Sequence, residues 1–112
     1  WLFSIPGTTQ GFDNGWDGVK ILGEPAVTQI YGMEDNNALY QINAVPDIHN
    51  SFIGFKPGND TSFKMKFNHQ NISSACSKLY LIDMVTNTTV DVLTNGTEYL
   101  FTSTASDPVQ LF

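Results

Sequence analysis

An all-β fold, an antiparallel two-sheet β-sandwich of jelly-roll or immunoglobulin-like type, is what this sequence predicts, on three observations. Apolar residues recur at period two in short runs, most clearly where Phe63, Met65 and Phe67 alternate with Lys64 and Lys66, the pattern of a strand with one dry and one wet face. Gly, Pro and Asn punctuate the chain at the intervals expected of short strands joined by tight turns. No stretch sustains helical periodicity. About eight or nine strands follow, in one domain over residues 1–112, a length that buries a single core.

In chain order, Trp1-Leu2-Phe3-Ser4-Ile5 reads as a short strand or docking segment that Pro6-Gly7 ends. Residues 11–20 are a dense loop, and residues 19–23 a strand stopped by Glu24-Pro25. Over 27–31, Val27, Gln29 and Tyr31 share one side, with Thr28 and Ile30 on the other; residues 32–37 form a polar turn. Residues 39–45 alternate as a strand and end before Pro46, which has no N–H for a central ladder. Strands follow at 51–55 and 62–68, and the small polar run 71–77 suits a turn or a single helical turn. The nearly continuous apolar run 79–85 predicts a central strand covered on both faces, with 90–93 as its hairpin partner. Asn95-Gly96 is a hairpin turn leading into 99–103. Asp107-Pro108 bends the chain into a last strand, 109–112, whose edge could pair with a neighbouring domain or chain.

Composition excludes several functions. The formal charge is -6, and all five basic residues are lysine, whereas phosphate recognition calls for clustered cations and favours arginine. Neither nucleic acid nor membrane insertion is expected, because the apolar runs are far too short to span a bilayer. Hydrophobic residues make up 41% and charged ones 14%, so hydroxyls and amides must wet the surface, as in secreted β-proteins. Cys76 is alone and reads as a small buried side chain. Beginning on Trp1 and ending on Phe112, the chain is expected to be a segment of a larger secreted protein.

Catalytic residues are expected to be none. His49 and His69 lie in polar, turn-like surroundings, Ser73-Ser74 lacks the glycine frame of a nucleophile elbow, and Glu34-Asp35 point apart on a turn. One cysteine and two histidines without paired spacing serve zinc poorly. Four Asn-x-Ser/Thr triplets begin at Asn59, Asn71, Asn87 and Asn95, and no modification is predicted.

The chemistry concentrates in Gly11-Phe12-Asp13-Asn14-Gly15-Trp16-Asp17-Gly18-Val19-Lys20. Asp13-Asn14-Gly15 and Asp17-Gly18 are both turn signals, and the first reading is a structural loop anchored by the indole, with Asp13 or Asp17 capping amides or pairing with Lys20. The second is a calcium site, with Asp13 at position 1 of a calcium loop, Asp17 at 5, Gly18 at 6 and Glu24 at 12; Gly15 at position 3 supplies no side-chain oxygen. The third is carbohydrate binding, in which Trp16 stacks on a sugar ring while Asp13, Asn14 and Asp17 take its hydroxyls.

The same decapeptide, followed by Gln29-Ile30-Tyr31, Tyr40-Gln41-Ile42-Asn43-Ala44-Val45-Pro46, Phe52-Ile53-Gly54-Phe55, Tyr80-Leu81-Ile82-Asp83 with Thr86, and Tyr99-Leu100-Phe101-Thr102, resembles a module of Bacteroidota. Such modules occur in large secreted and cell-surface proteins, often just before the sorting domain of the type IX secretion system. Their final strand usually carries an Arg-Phe pair, where this chain has Gln110-Leu111-Phe112. The resemblance implies an extracellular, non-catalytic β-sandwich that supports or connects neighbouring domains of the same polypeptide or other surface proteins.

Overall fold

A computed structural model describes residues 1–34, 37–107 and 109–112. Asp35 and Asn36 of the expected polar turn, and Pro108 of the expected bend, lie outside the described residues. The fold is all-β, and the described residues form ten short strands and one helical turn: β1 Leu2–Ser4, β2 Gly18–Val19, β3 Gln29–Met33, β4 Leu39–Val45, β5 Phe52–Lys56, β6 Ser62–Lys66, α1 Ile72–Ala75, β7 Tyr80–Asp83, β8 Thr88–Asp91, β9 Glu98–Thr102 and β10 Gln110–Leu111. Asparagine makes many of the turns. Among the described residues every non-glycine with positive φ is Asn, at 37, 50, 71 and 87, because its short amide tolerates the left-handed region by bonding locally.

The strands form one six-stranded sheet and two ribbons. The sheet runs β1-β4-β3-β5-β10, with β2 also on β4. Its ladders are antiparallel except that β1 runs parallel to β4, Leu2 opposite Asn43 and Ser4 opposite Val45, a pairing that the long connection between them allows. The ribbons are β6-β9, with Phe63 opposite Phe101 and Met65 opposite Tyr99, and the hairpin β7-β8.

Two facing sheets of jelly-roll or immunoglobulin type are therefore not what forms. The second layer is split into ribbons, so the core is concentrated where β6-β9 and β7-β8 cover β5 and β10. Phe55, Met65, Leu81, Val92, Phe101 and Phe112 are its buried members. Phe101 meets Phe55 edge-on at 4.9 Å and Phe112 at 5.1 Å between ring centroids, the geometry that aromatic quadrupoles favour.

Three strand expectations change with this. Residues 79–85 are not a central strand, because among the described residues β7 has one ladder partner, only the Met84 N–H just past it reaching across to the Leu111 carbonyl, and because it alternates exposed and buried, leaving Tyr80 and Ile82 half-exposed. The strand expected over 19–23 is only Gly18–Val19, and Ile21 is exposed beyond it. Asn95-Gly96 does turn, with φ +87 at the glycine, but the Gly96 N–H donates to the Phe67 carbonyl and joins β9 to β6, not to β8.

Candidate functional site

The loop before β2 is built from its own carboxylates. Gly15 takes φ +91, and the N–H groups of Trp16 and Asp17 both donate to the Asp13 carbonyl at 3.0 Å, closing the bend that Asp13-Asn14-Gly15 encodes. Asp13 Oδ2 accepts from the Thr9 N–H at 2.6 Å and from the Thr9 hydroxyl at 3.1 Å. Asp17 Oδ2 accepts from the Asp13 N–H at 2.7 Å, while its Oδ1 accepts from the Ala44 N–H at 2.7 Å. Asp17 thus ties the loop to β4, and the backbone-capping role expected for these acids is the observed one. Lys20 pairs with neither; its Nζ donates to Gln41 Oε1.

The anchor is not the indole. Phe12 stacks on Tyr40 at 6.4 Å and 18°, and Tyr40 is almost fully buried. Burial pushes the Tyr40 hydroxyl's pKa up, and the charges of Glu34, Asp17 and Asp13 push it further the same way. Trp16 stands 55% exposed at the bend, with Asn14 exposed beside it.

Asp13 and Asp17 are therefore brought together, and Asn14 and Trp16 share their turn. Glu24 is exposed in a separate bend, its carbonyl accepting from the Val27 N–H. Among the described residues no group of three or more His, Cys, Asp or Glu side chains gathers as metal ligands. His49 bonds locally through Nδ1 to Asp47 at 2.6 Å, and His69 Nε2 lies 3.3 Å from the Val92 carbonyl; neither reaches Cys76 in a shared cluster.

Two buried polar pairs were not anticipated from the sequence. Asn43 Nδ2 donates to Glu34 Oε1 at 2.6 Å, inside the six-stranded sheet. Asp83, with no exposed surface, accepts from the Tyr99 hydroxyl at 2.7 Å and from the N–H groups of Val85 and Thr86 at 2.9 and 3.2 Å. A carboxylate interrupting the apolar run 79–85, three residues before Thr86, was the available signal.

No family model matches the chain. It is 41% identical over 68 residues to the minor fimbrium subunit Mfa5 of Porphyromonas gingivalis, a Bacteroidota surface protein. The match takes 60% of this chain and 6% of that protein, so the chain spans a small part of its relative. No solved structure matches.

Proposed function

We infer that the chain is a non-catalytic structural or interaction module of a secreted or cell-surface bacterial protein, supporting or connecting neighbouring domains. The observation that carries this reading is the 41% identity over 68 residues to a fimbrium subunit. Placement beside a type IX sorting domain belongs to the same reading and rests on the resemblance of the motifs. The geometry agrees with it: the loop's carboxylates hold backbone amides, so their lone pairs serve the fold. The test is to excise these 112 residues from the parent polypeptide and follow the flanking domains on intact cells by antibody and by limited proteolysis. Loss of display or new protease sensitivity is expected; unchanged display and protection overturns the reading.

A second reading is favoured by one observation, the exposure of Trp16. A tryptophan that closed the end of a core would be buried, whereas this indole offers a face to solvent beside Asn14, as a sugar platform does. Glycan-array binding that Trp16→Ala abolishes would establish carbohydrate recognition, and a blank array would remove it.

A further inference from the structure

The split second layer leaves a groove between β3 and β6. We propose that this groove is a strand-addition site for an extended segment of a partner protein in which apolar and acidic residues alternate. The proposal deepens the interaction-module reading and rests on it only for the existence of a partner.

The backbone of β6 supplies the first reason. Flanking the ladder, the Phe67 N–H donates to the Thr97 carbonyl and the Ser103 N–H to the Thr61 carbonyl. Odd-numbered residues of β6 therefore turn their amides toward β9, and Ser62, Lys64 and Lys66 turn theirs away. Among the described residues nothing pairs with that outer row. A bare edge of this kind is a template for another strand.

The floor supplies the second. The groove holds about 290 Å³ between Thr28 and Ile30 on one side and the β6 edge on the other, over Phe55, Phe63, Met65 and Phe101. Ile30 sits opposite Phe55 in the ladder and so shares its core-facing side. Phe55 is buried, yet Ile30 is 49% exposed, because no strand of the second layer reaches it. Pockets for small organic ligands begin near this volume, at about 300 Å³, so a few aliphatic side chains from an added strand fit better than a bulky cofactor.

Charge selects the occupant. Lys64 and Lys66 are two of five cations in a chain of net charge -6, and their side chains flank the open edge. Lys64 is paired with Glu98 at 3.1 Å, while Lys66 has no acidic partner among the described residues. Lysines on an edge ordinarily guard it against indiscriminate pairing. The same guard admits a strand whose outward residues are acidic, since opposite charges on adjacent strands attract and like charges repel.

The test titrates the chain against a short, capped, fluorescent peptide alternating valine and glutamate, with two controls: lysine in place of glutamate, and the same composition in blocks. Anisotropy should show binding of the alternating acidic peptide alone, and amide exchange should slow at Lys64 and Lys66. Lys64→Pro removes an outward N–H without touching the β9 ladder, as an edge position permits, and is expected to weaken binding about tenfold. Ile30→Glu, at a half-exposed site, should abolish it, and Lys66→Glu should weaken it about threefold or more, less so at high salt. Equal binding of the controls, unchanged affinity in Lys64→Pro and Ile30→Glu, or protection away from β6 would each overturn the proposal. If Lys64→Pro fails to fold, Ile30→Glu and the exchange map on the unmodified chain decide it. Concentration-dependent protection of Lys64 and Lys66 without peptide would overturn the chosen occupant in favour of a second copy. The titration uses the isolated chain, so its failure leaves the excision experiment on cells untouched.

Discussion

Asp83 shows how much of this fold rests on single polar side chains. Burial alone would raise its pKa, but the hydrogen bonds from Tyr99, Thr86 and Val85 together outweigh burial and hold the carboxyl below the usual aspartate value. A folded value below the unfolded one, about 3.9, means that the stabilisation is present above that pH and lost as pH falls through the lowered value. Tyr99 behaves oppositely: burial first, and then Asp83, push its hydroxyl's pKa up. Its contribution holds below about pH 10 and is lost as pH rises through the raised value. Asp83→Ala takes the acceptor from the part-buried Tyr99 hydroxyl and from two amides and should cost about 2–3 kcal/mol, and Tyr99→Phe about 1 kcal/mol. Urea unfolding across pH checks both, with Asp83→Ala flattening the acid limb and Tyr99→Phe the alkaline one. Asp17 is the parallel case in the candidate site. Asp17→Ala frees the Asp13 and Ala44 amides, and faster hydrogen exchange at those two positions with a loss of about 2 kcal/mol is expected. The capping role of these acids was legible in the turn signals around them. Their particular partners were not, because Ala44 lies on a strand far along the chain.

Strands and turns were readable where their cause is local. Residues 39–45 form β4 over the expected span, and Lys64 and Lys66 face out from β6 as the alternation dictates. A single helical turn sits within 71–77. Pairing was readable where the turn is short, since 79–85 and the segment before 93 do meet as the hairpin β7-β8; beyond that it was not, because it is decided by which apolar faces meet. Asn95-Gly96 fixes a turn, yet the aromatic side chains of β9 find theirs in Phe55, Phe63 and Phe112, so β9 joins β6. Close approaches depend on glycine at two points, one between strands and one between the loops beside them. Gly54 faces Tyr31 across the β3-β5 ladder, and a Cβ there would fall 2.0 Å from the Tyr31 ring; at Gly58 it would fall 2.2 Å from the Ala26 carbonyl oxygen. Gly54→Ala must displace a buried ring and Gly58→Ala the backbone itself. Each is expected to cost about 1–3 kcal/mol, with Gly58→Ala the greater, as thermal or urea unfolding of the two variants will measure.

At the scale of the molecule, the sheet and ribbons leave apolar side chains in solvent around β1 and β2, where Trp1, Phe3, Val19 and Ile21 are exposed, as on a surface that meets neighbours. Whether the loop also recruits calcium is decided by competition for oxygens. Asp13 Oδ2 and both oxygens of Asp17 already accept hydrogen bonds, and Glu24, the third ligand that the spacing suggested, joins no group of acids. An ion taken there would have to share those oxygens with the amides of Thr9, Asp13 and Ala44, weakening bonds worth roughly 1 kcal/mol each before any gain. A cation bound only by the folded state adds about 2.7 kcal/mol at a hundredfold excess over its dissociation constant, and each kcal/mol moves the melting midpoint of a domain this size by about 4 °C or more. The expected outcome is one midpoint, the same in excess calcium and in chelator, for the unmodified chain and for Asp17→Asn alike. A rise with calcium that Asp17→Asn removes would instead show that the ion binds here through Asp17.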